Sequence, residues 1–360
     1  MNKIERGFSP AEFEQRTATV QSLMHDARLD AVLVTTEAEI RYFTGFHSQF
    51  FESPTRPWFV IVPAEGKPIA VIPTIGESGM AATWIDDINT WPSPRPADDG
   101  ISALASTISS LPTCHGRLGM PLGPESLLRM PAGDAKKLAD AIPHEVVDCA
   151  EMLLRQRFVK SPAEIEKIRR ACQITSDAFE ALPTHSRIGD SEIDITRRMR
   201  IDLLERGADS TPFMVAGSGT GGYDSIIMGP TQRQLQSGDI LIIDTGTVFD
   251  GYFCDFDRNF GFGHVADDAR RANTAVHQAL DAGFEAARPG ARMCEVWSAM
   301  SRVMEEFGSL GNSIGRMGHG LGMLLTEWPS VHPDDQNILE PGVVMTLEPG
   351  MTFAPGRQLV

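Results

Sequence analysis

The 360 residues carry a formal net charge of −16, and 42% of them are hydrophobic. That acidic balance argues against nucleic acid or an anionic membrane as the main partner, since both would repel it. At about 100–200 residues per domain, the length predicts two domains, each with its own core and no need of staples. The five cysteines (Cys114, Cys149, Cys172, Cys254, Cys294) are scattered, with no CxxC spacing. Such usage suits reduced thiols in a cytoplasmic protein. Residues Met1 to Pro10 hold no apolar signal segment, and runs such as Trp58–Pro63 are too short to span a bilayer.

In chain order, Ser9-Pro10-Ala11-Glu12 opens a helix that runs to about Ala27: a cap, a proline at the first position and an acid at the third. Ala31–Thr35, Trp58–Pro63 and Ile69–Ile72 read as strands, the last two joined by a turn at Glu65-Gly66-Lys67. Strands alternating with helices predict a mixed or parallel sheet, and Pro92–Asp99 reads as a loop. A second helix start at Ser161-Pro162-Ala163-Glu164 marks a junction near Val159. The expected domains are 10–155 and 160–360.

The second domain contains an internal echo. Helices over about 163–182 and 191–206 flank Arg187-Ile188-Gly189, and helices over about 266–287 and 293–307 flank Arg288-Pro289-Gly290. Each pair leads into strands, so the pattern suggests a pseudo-two-fold domain with a cleft where its halves meet. Ile240–Asp244 alternates like a strand, Thr245 to Gly251 reads as a turn, and Tyr252–Phe260 reads as the return strand. Phe253, Asp255 and Asp257 then share one face, and Asp244 can lie near Asp255. Aspartate is disfavoured in strands, and paired carboxylates repel unless a cation or proton lies between them. A divalent metal is the economical explanation. Gly318-His319-Gly320-Leu321-Gly322 offers an imidazole among glycines, and Thr346-Leu347-Glu348-Pro349-Gly350 ends an apolar β-run on a carboxylate.

In this order, Asp244, Asp255, the GHGxG around His319 and the LEPG around Glu348 resemble the M24 metallopeptidases: Xaa-Pro aminopeptidases, prolidases and methionine aminopeptidases. Ser237-Gly238-Asp239, Asp255-Phe256-Asp257-Arg258 and Leu339-Glu340-Pro341-Gly342 agree with that pattern. Leu29–Val34 and Ile40-Arg41-Tyr42-Phe43-Thr44-Gly45-Phe46 resemble the N-terminal domain of the creatinase and prolidase branch. The resemblance implies an α+β chain, a small α/β domain followed by a pita-bread catalytic domain. It implies a homodimer and two divalent ions (Mn, Fe, Co or Zn) held by Asp244, Asp255, His319 and Glu348. Asp255 would bridge both ions. A bridged hydroxide would attack an amide carbonyl of a small peptide or amide.

Three departures accompany the resemblance. The family carries a further bridging glutamate on the strand after LEPG, and this sequence stops at Val360, so the expectation is a C-terminus cut short of that ligand. The aminopeptidases carry a histidine seven residues after the metal histidine, where this sequence has Thr326. Threonine can hydrogen-bond there but cannot supply a cation. Thr326 and Glu348 are the expected catalytic residues. Met228 stands where another family histidine precedes the first metal strand. These changes keep two alternatives open: a non-peptidase enzyme on the same fold, such as a small-molecule amidohydrolase or a dimethylsulfoniopropionate-lyase-like C–S lyase, or a non-catalytic binding protein. His47, Phe50, Phe51 and Trp58 are expected to pack at an interdomain or dimer contact. His332 reads as a surface-loop residue. The glycine-rich Gly217–Gly222 lacks the spacing of a phosphate loop and reads as a wall of the cleft.

Overall fold

The computed structural model describes residues 5–311 and 315–360. The chain divides into two compact units, Glu5–Arg157 and a second formed mainly by Phe158–Val360.

The first unit is built on a six-stranded sheet. Its elements are α1 (Pro10–Ala27), β1 (Ala31–Val34), α2 (Glu37–Thr44), β2 (Phe59–Pro63), β3 (Ile69–Pro73), α3 (Glu77–Ala81), β4 (Asp87–Trp91), α4 (Ile101–Ser109), β5 (Arg117–Met120), α5 (Ala132–Ala141), β6 (Glu145–Asp148) and α6 (Ala150–Phe158), which runs to the boundary. The strand order is β4-β3-β2-β1-β5-β6, antiparallel across β1–β2 and β2–β3 and parallel elsewhere, so the sheet is mixed. The continuous apolar runs occupy its middle, where both faces are covered. The charged strands β4 and β6 take the edges, where their side chains reach solvent. Phe51 and Trp58 pack inside this unit, their rings 5.6 Å apart, rather than at the interface expected for them. His47 pairs with Glu37 at 2.7 Å, and Phe50 stays exposed.

The second unit contains two structural repeats. The first comprises α7 (Pro162–Ala181), α8 (Glu192–Glu205), β7 (Ser210–Thr220), β8 (Asp239–Phe249), β9 (Tyr252–Phe253) and β10 (Phe256–Gly261). The second comprises α9 (Asp267–Ala286), α10 (Met293–Glu306), β11 (His319–Gly320), β12 (Glu327–Ser330), β13 (Met351–Ala354) and β14 (Arg357–Leu359). Their backbones repeat the same bonds. Gly189 N–H donates to the Leu235 carbonyl and Leu235 N–H to that of Asp190; Gly290 donates to Leu339 and Leu339 to Ala291 in the same way. Ser191 bridges Gln234 just before α8, and Arg292 bridges Ile338 just before α10. The echo read in the sequence is therefore a repeat of hydrogen bonds, carried by backbone rather than by side-chain identity.

Strand β8 lies between two cores. Leu241 and Ile243 enter the core formed with α7 and α8, whereas Ile240 and Ile242 enter the core formed with α9 and α10. A strand covered on both faces needs an unbroken apolar run, which Ile240–Ile243 supplies. Two strand expectations need correcting. Thr245–Phe249 continues β8 and the turn is confined to Asp250-Gly251, because β7 and β9 supply partners for the backbone there. Thr346–Glu348 forms no strand of its own; it is tied to the β11 segment by separate bonds.

Candidate metal centre

The alternation along β8 decides where Asp244 faces. It follows Ile240 and Ile242, so it shares the face turned toward the second repeat. Across the ladder, β10 places Asp257 directly opposite Asp244 and Phe256 opposite Thr245. Asp255 falls in the gap between β9 and β10, two residues from Asp257 and therefore on the same face. Gly246 makes this approach possible, since a Cβ there would overlap the Cys254 carbonyl oxygen. No register shift interrupts β8 and β10, so the aspartates converge by simple pleat.

The second repeat brings the other two ligand-type residues. His319 N–H donates to Thr346 Oγ1 at 3.0 Å, Thr346 N–H donates to the His319 carbonyl, and Glu348 N–H donates to the Met317 carbonyl. These bonds lay the LEPG segment along the GHGxG segment and set Glu348 beside His319. On the other side, β12 lies so close that a Cβ on Gly320 would overlap the Trp328 carbonyl oxygen. One bond joins the repeats at the site itself: Phe253 N–H donates to the Gly322 carbonyl at 2.8 Å.

His319 Nε2 lies 3.3 Å from Asp255 Oδ2 and 3.5 Å from Glu348 Oε1. Ligand atoms of these three residues all lie within 4.8 Å of one another. Nδ1 sits 2.9 Å from the Gly320 carbonyl, a contact that holds a proton on Nδ1, so that Nε2, which faces the carboxylates, can exchange its own proton for a cation. Asp244 stands beside the trio, where the negative charges of Asp255, Asp257 and Glu348 oppose its ionisation.

The electrostatics are those of a cluster that lacks countercharge. Burial, then Asp255, Asp257 and Glu348, push the Asp244 carboxyl up to about 9. Burial and then Glu348 push Asp257 up to about 7. Glu348 is raised by burial and by Asp255, against the pull of His319. Burial disfavours the His319 imidazolium, yet the bond to Asp255 and the charge of Glu348 lift it above the ordinary histidine value. Glu348 Oε1 is buried with no hydrogen-bond partner among the described residues. A buried carboxylate oxygen without a hydrogen bond loses solvation that a bound cation would offset. The donor set, three or four carboxylates and one imidazole nitrogen, fits a divalent ion of hard or borderline character.

The structure brings Asp255, His319 and Glu348 together and places Asp244 next to them. Thr326 lies outside the trio: it is half-buried, and its Oγ1 accepts a hydrogen bond from Arg316 Nη2 at 3.2 Å. Met228 is 61% exposed. His332 is part-exposed, and its Nδ1 accepts from Asp334 N–H in a local turn, so it takes no part in the cluster. One site residue had no role assigned from sequence. Asp257 was visible on the strand face, but only the pairing with Asp244 reveals it as a member of the cluster.

The comparisons with known proteins follow this geometry. A model of metallopeptidase family M24 matches residues 166–360, and a model of the creatinase/prolidase N-terminal domain matches residues 16–159. The chain belongs to metallopeptidase family M24. It is 27% identical to a probable dipeptidase PepE of Mycobacterium tuberculosis, over 98% of this chain and 91% of that one. It is 24% identical to an Xaa-Pro dipeptidase of Lactobacillus delbrueckii subsp. lactis, over 94% and 89%. The crystal structure of dipeptidase PepE from Mycobacterium ulcerans superposes with a TM-score of 0.83 at 25% identity, covering 97% of this chain and 91% of that one.

Proposed function

We propose that this protein is a dipeptidase acting on short peptides of the Xaa-Pro type. It would hold two divalent ions (Mn, Fe, Co or Zn) between Asp244, Asp255, His319 and Glu348. The observation that carries the reading is His319 Nε2, set 3.3 Å from Asp255 and 3.5 Å from Glu348, with Glu348 Oε1 making no hydrogen bond among the described residues. Bound divalent ions supply Lewis acidity and a water acidified toward neutral pH. The chain's own residues do the rest. Gly320 orients the imidazole through Nδ1. Asp255, 3.3 Å from His319 Nε2 and beside Asp244, would help to hold the ions. Glu348, expected as both a ligand and a catalytic residue, would hold metal through the Oε1 that makes no hydrogen bond among the described residues. Asp257 adds negative charge opposite Asp244 and favours retention of cations.

The names of the relatives support the substrate class. The family resemblance supports a homodimer, which light scattering on the purified protein would test. No helix among the described residues is long and apolar enough to cross a membrane, and the five cysteines are free; both are compatible with a cytoplasmic location. The decisive experiment measures metal content and hydrolysis of an Xaa-Pro and Xaa-Leu dipeptide panel. The wild type should bind metal and cleave at least one dipeptide, and Glu348→Gln should lose both properties. Metal bound at Asp255, His319 and Glu348 with no dipeptide cleaved would remove the peptidase reading and leave the metal site standing.

A further inference from the structure

The start of α7 is charged on a side that a packed helix normally keeps apolar. Lys160, Glu164 and Lys167, spaced four and three residues apart, are each no more than 5% exposed. Charges so buried need partners, and each of the three finds one on a segment that leads to the metal centre. Lys167 pairs with Asp250 at the turn between β8 and β9, and Asp250 N–H donates to Asp209 at 2.6 Å. Glu164 divides its carboxylate. One oxygen closes the capping box on Ser161 N–H at 2.8 Å, and the other accepts the Tyr252 hydroxyl at 2.9 Å. Lys160 reaches into the second repeat: its N–H donates to the Gly342 carbonyl at 3.0 Å, and its Nζ lies 3.0 Å from Glu327 Oε2. The helix start read from Ser161-Pro162-Ala163-Glu164 is thus also a brace for residues 250–253, which run into Asp255.

The Lys160–Glu327 pair touches both halves of the centre through Gly322. Glu327 Oε1 accepts Leu324 N–H at 3.1 Å, and the Leu324 carbonyl accepts Gly322 N–H at 3.1 Å, which closes the turn after the GHGxG segment. Gly322 packs on the pair so tightly that a Cβ there would stand 2.7 Å from Glu327 Oε2 and 3.0 Å from Lys160 Cε. Its carbonyl accepts Phe253 N–H at 2.8 Å, two residues before Asp255. We propose that Lys160 and Glu327 are positioning residues for the metal centre: by seating Gly322 they set the placement of Asp255 against His319, and with it the affinity and geometry of cation binding. The inference rests on the metal-centre reading and gives neither residue a contact with metal or substrate. A buried ion pair adds little net stability over apolar residues of the same volume. It does fix one placement, because charge-assisted hydrogen bonds are short and directional. Ligands brought from two separate repeats need such support to stay in register.

The test uses the full-length protein with Co²⁺ as the probe, read by calorimetry and visible absorption, together with amide exchange of the metal-free protein. Lys160→Met/Glu327→Leu removes the pair and leaves neither partner behind. It should regain most of the stability lost in Lys160→Met, yet bind Co²⁺ about 10- to 100-fold more weakly than wild type, the range for groups that support ligands. The Co²⁺ absorption should change with it. Phe253 N–H should exchange about tenfold faster or more, while Ile242 N–H in the middle of β8 keeps its wild-type rate. Lys160→Arg, which keeps the countercharge, should recover part of the affinity. Wild-type Co²⁺ affinity and absorption in the double variant would overturn the proposal. So would a Phe253 N–H that exchanges faster only in step with Ile242, since that marks general loosening. If the double variant fails to fold, the same two readings on Lys160→Arg and Lys160→Met decide: wild-type values in both reject a positioning role. If wild type binds no Co²⁺, the metal-centre reading fails by itself, and exchange at Phe253 still decides whether the pair seats Gly322.

Discussion

The two repeats of the second unit share a backbone plan and divide the chemistry unequally. The first repeat delivers Asp244, Asp255 and Asp257 on a regular antiparallel ladder. The second delivers His319 and Glu348 from two short segments tied by isolated bonds. Regular strands suit the first task, because alternate residues on adjacent strands fall side by side with no special loop geometry. The second task sets two different side chains around a single point. Close glycine-lined backbone, as at Gly320, achieves what pleat alone cannot. One repeat concentrates negative charge, and the other brings the imidazole nitrogen and one further carboxylate.

The largest effect should come from breaking the meeting of the repeats. Asp255→Ala in the first and His319→Ala in the second remove partners of the same trio, so both should weaken metal binding by more than about 100-fold, beyond the 10- to 100-fold typical of outer-shell changes. Asp257→Asn, outside the trio, should cost about tenfold or less. Metal titration of the three variants checks the ranking; an Asp257→Asn loss equal to that of Asp255→Ala would make Asp257 a ligand in its own right.

Two buried lysine–carboxylate pairs also lie in this unit: Lys167 with Asp250, both in the first repeat, and Lys160, just before α7, with Glu327 of the second repeat at 3.0 Å, the latter pair 1% and 3% exposed. Glu327 sits on β12 against β11, so its pair supports the His319 segment. Lys160→Met should destabilise the protein by about 3–5 kcal/mol in urea unfolding, because it removes the buried cation that faces the Glu327 carboxylate. The double variant Lys160→Met/Glu327→Leu should recover most of that. If the double variant is no better than the single, the loss comes from packing and not from a lost countercharge.

The acid cluster makes a pH prediction for the metal-free protein. Asp244 and Asp257 hold folded-state pKa values raised to about 9 and about 7, above the ordinary carboxylate value of 3.8. A raised group binds more protons folded than unfolded, so its stabilisation is complete below about pH 4 and is lost as pH rises through 7 and then 9. His319, also raised, has the same sign. The metal-free protein should therefore melt at a lower temperature at pH 9 than at pH 5, and Asp244→Asn should flatten that slope. Metal binding displaces these protons, so the stabilisation conferred by metal should grow over the same range. A metal-free melting temperature that rises with pH would contradict the reading of the cluster as short of countercharge.

How much of this was legible in the sequence follows from how each residue reaches the site. Asp244, Asp255, His319 and Glu348 could be picked out as an ordered set because each sits in a short segment with its own glycine or proline punctuation. The extent of β8 was not legible: Thr245–Phe249 contains a glycine and looks like a turn, and only its partners β7 and β9 hold it extended. Asp257 alternates with Asp255 as any strand residue would, so its partnership with Asp244 depends on a register that spacing alone leaves open. Arg316 reaches Thr326 across ten residues of irregular backbone, beyond any local pattern. What the sequence conveys is the segments that carry chemistry; what it conceals is long side chains crossing between them.

The smallest effect sharpens the comparison at equivalent positions of the two repeats. Ser191 caps α8, its hydroxyl accepting from Asp194 N–H at 3.2 Å, whereas the matching position before α10 is Arg292, which has no side-chain acceptor. Arg292 nonetheless has the extended backbone of a cap, φ −89° and ψ 150°, and its N–H already donates to the Glu295 carboxylate at 2.8 Å. Half of a capping box is therefore in place. Arg292→Ser should complete it and stabilise the second repeat by about 0.5–1 kcal/mol, while Ser191→Ala should cost the first about 1 kcal/mol. Urea midpoints at unchanged m-value would read both. Equal and opposite shifts would show that the repeats remain interchangeable at their helix starts although their metal-facing strands have diverged; a destabilised Arg292→Ser would mean that the arginine's aliphatic stem, and not a cap, secures the start of α10.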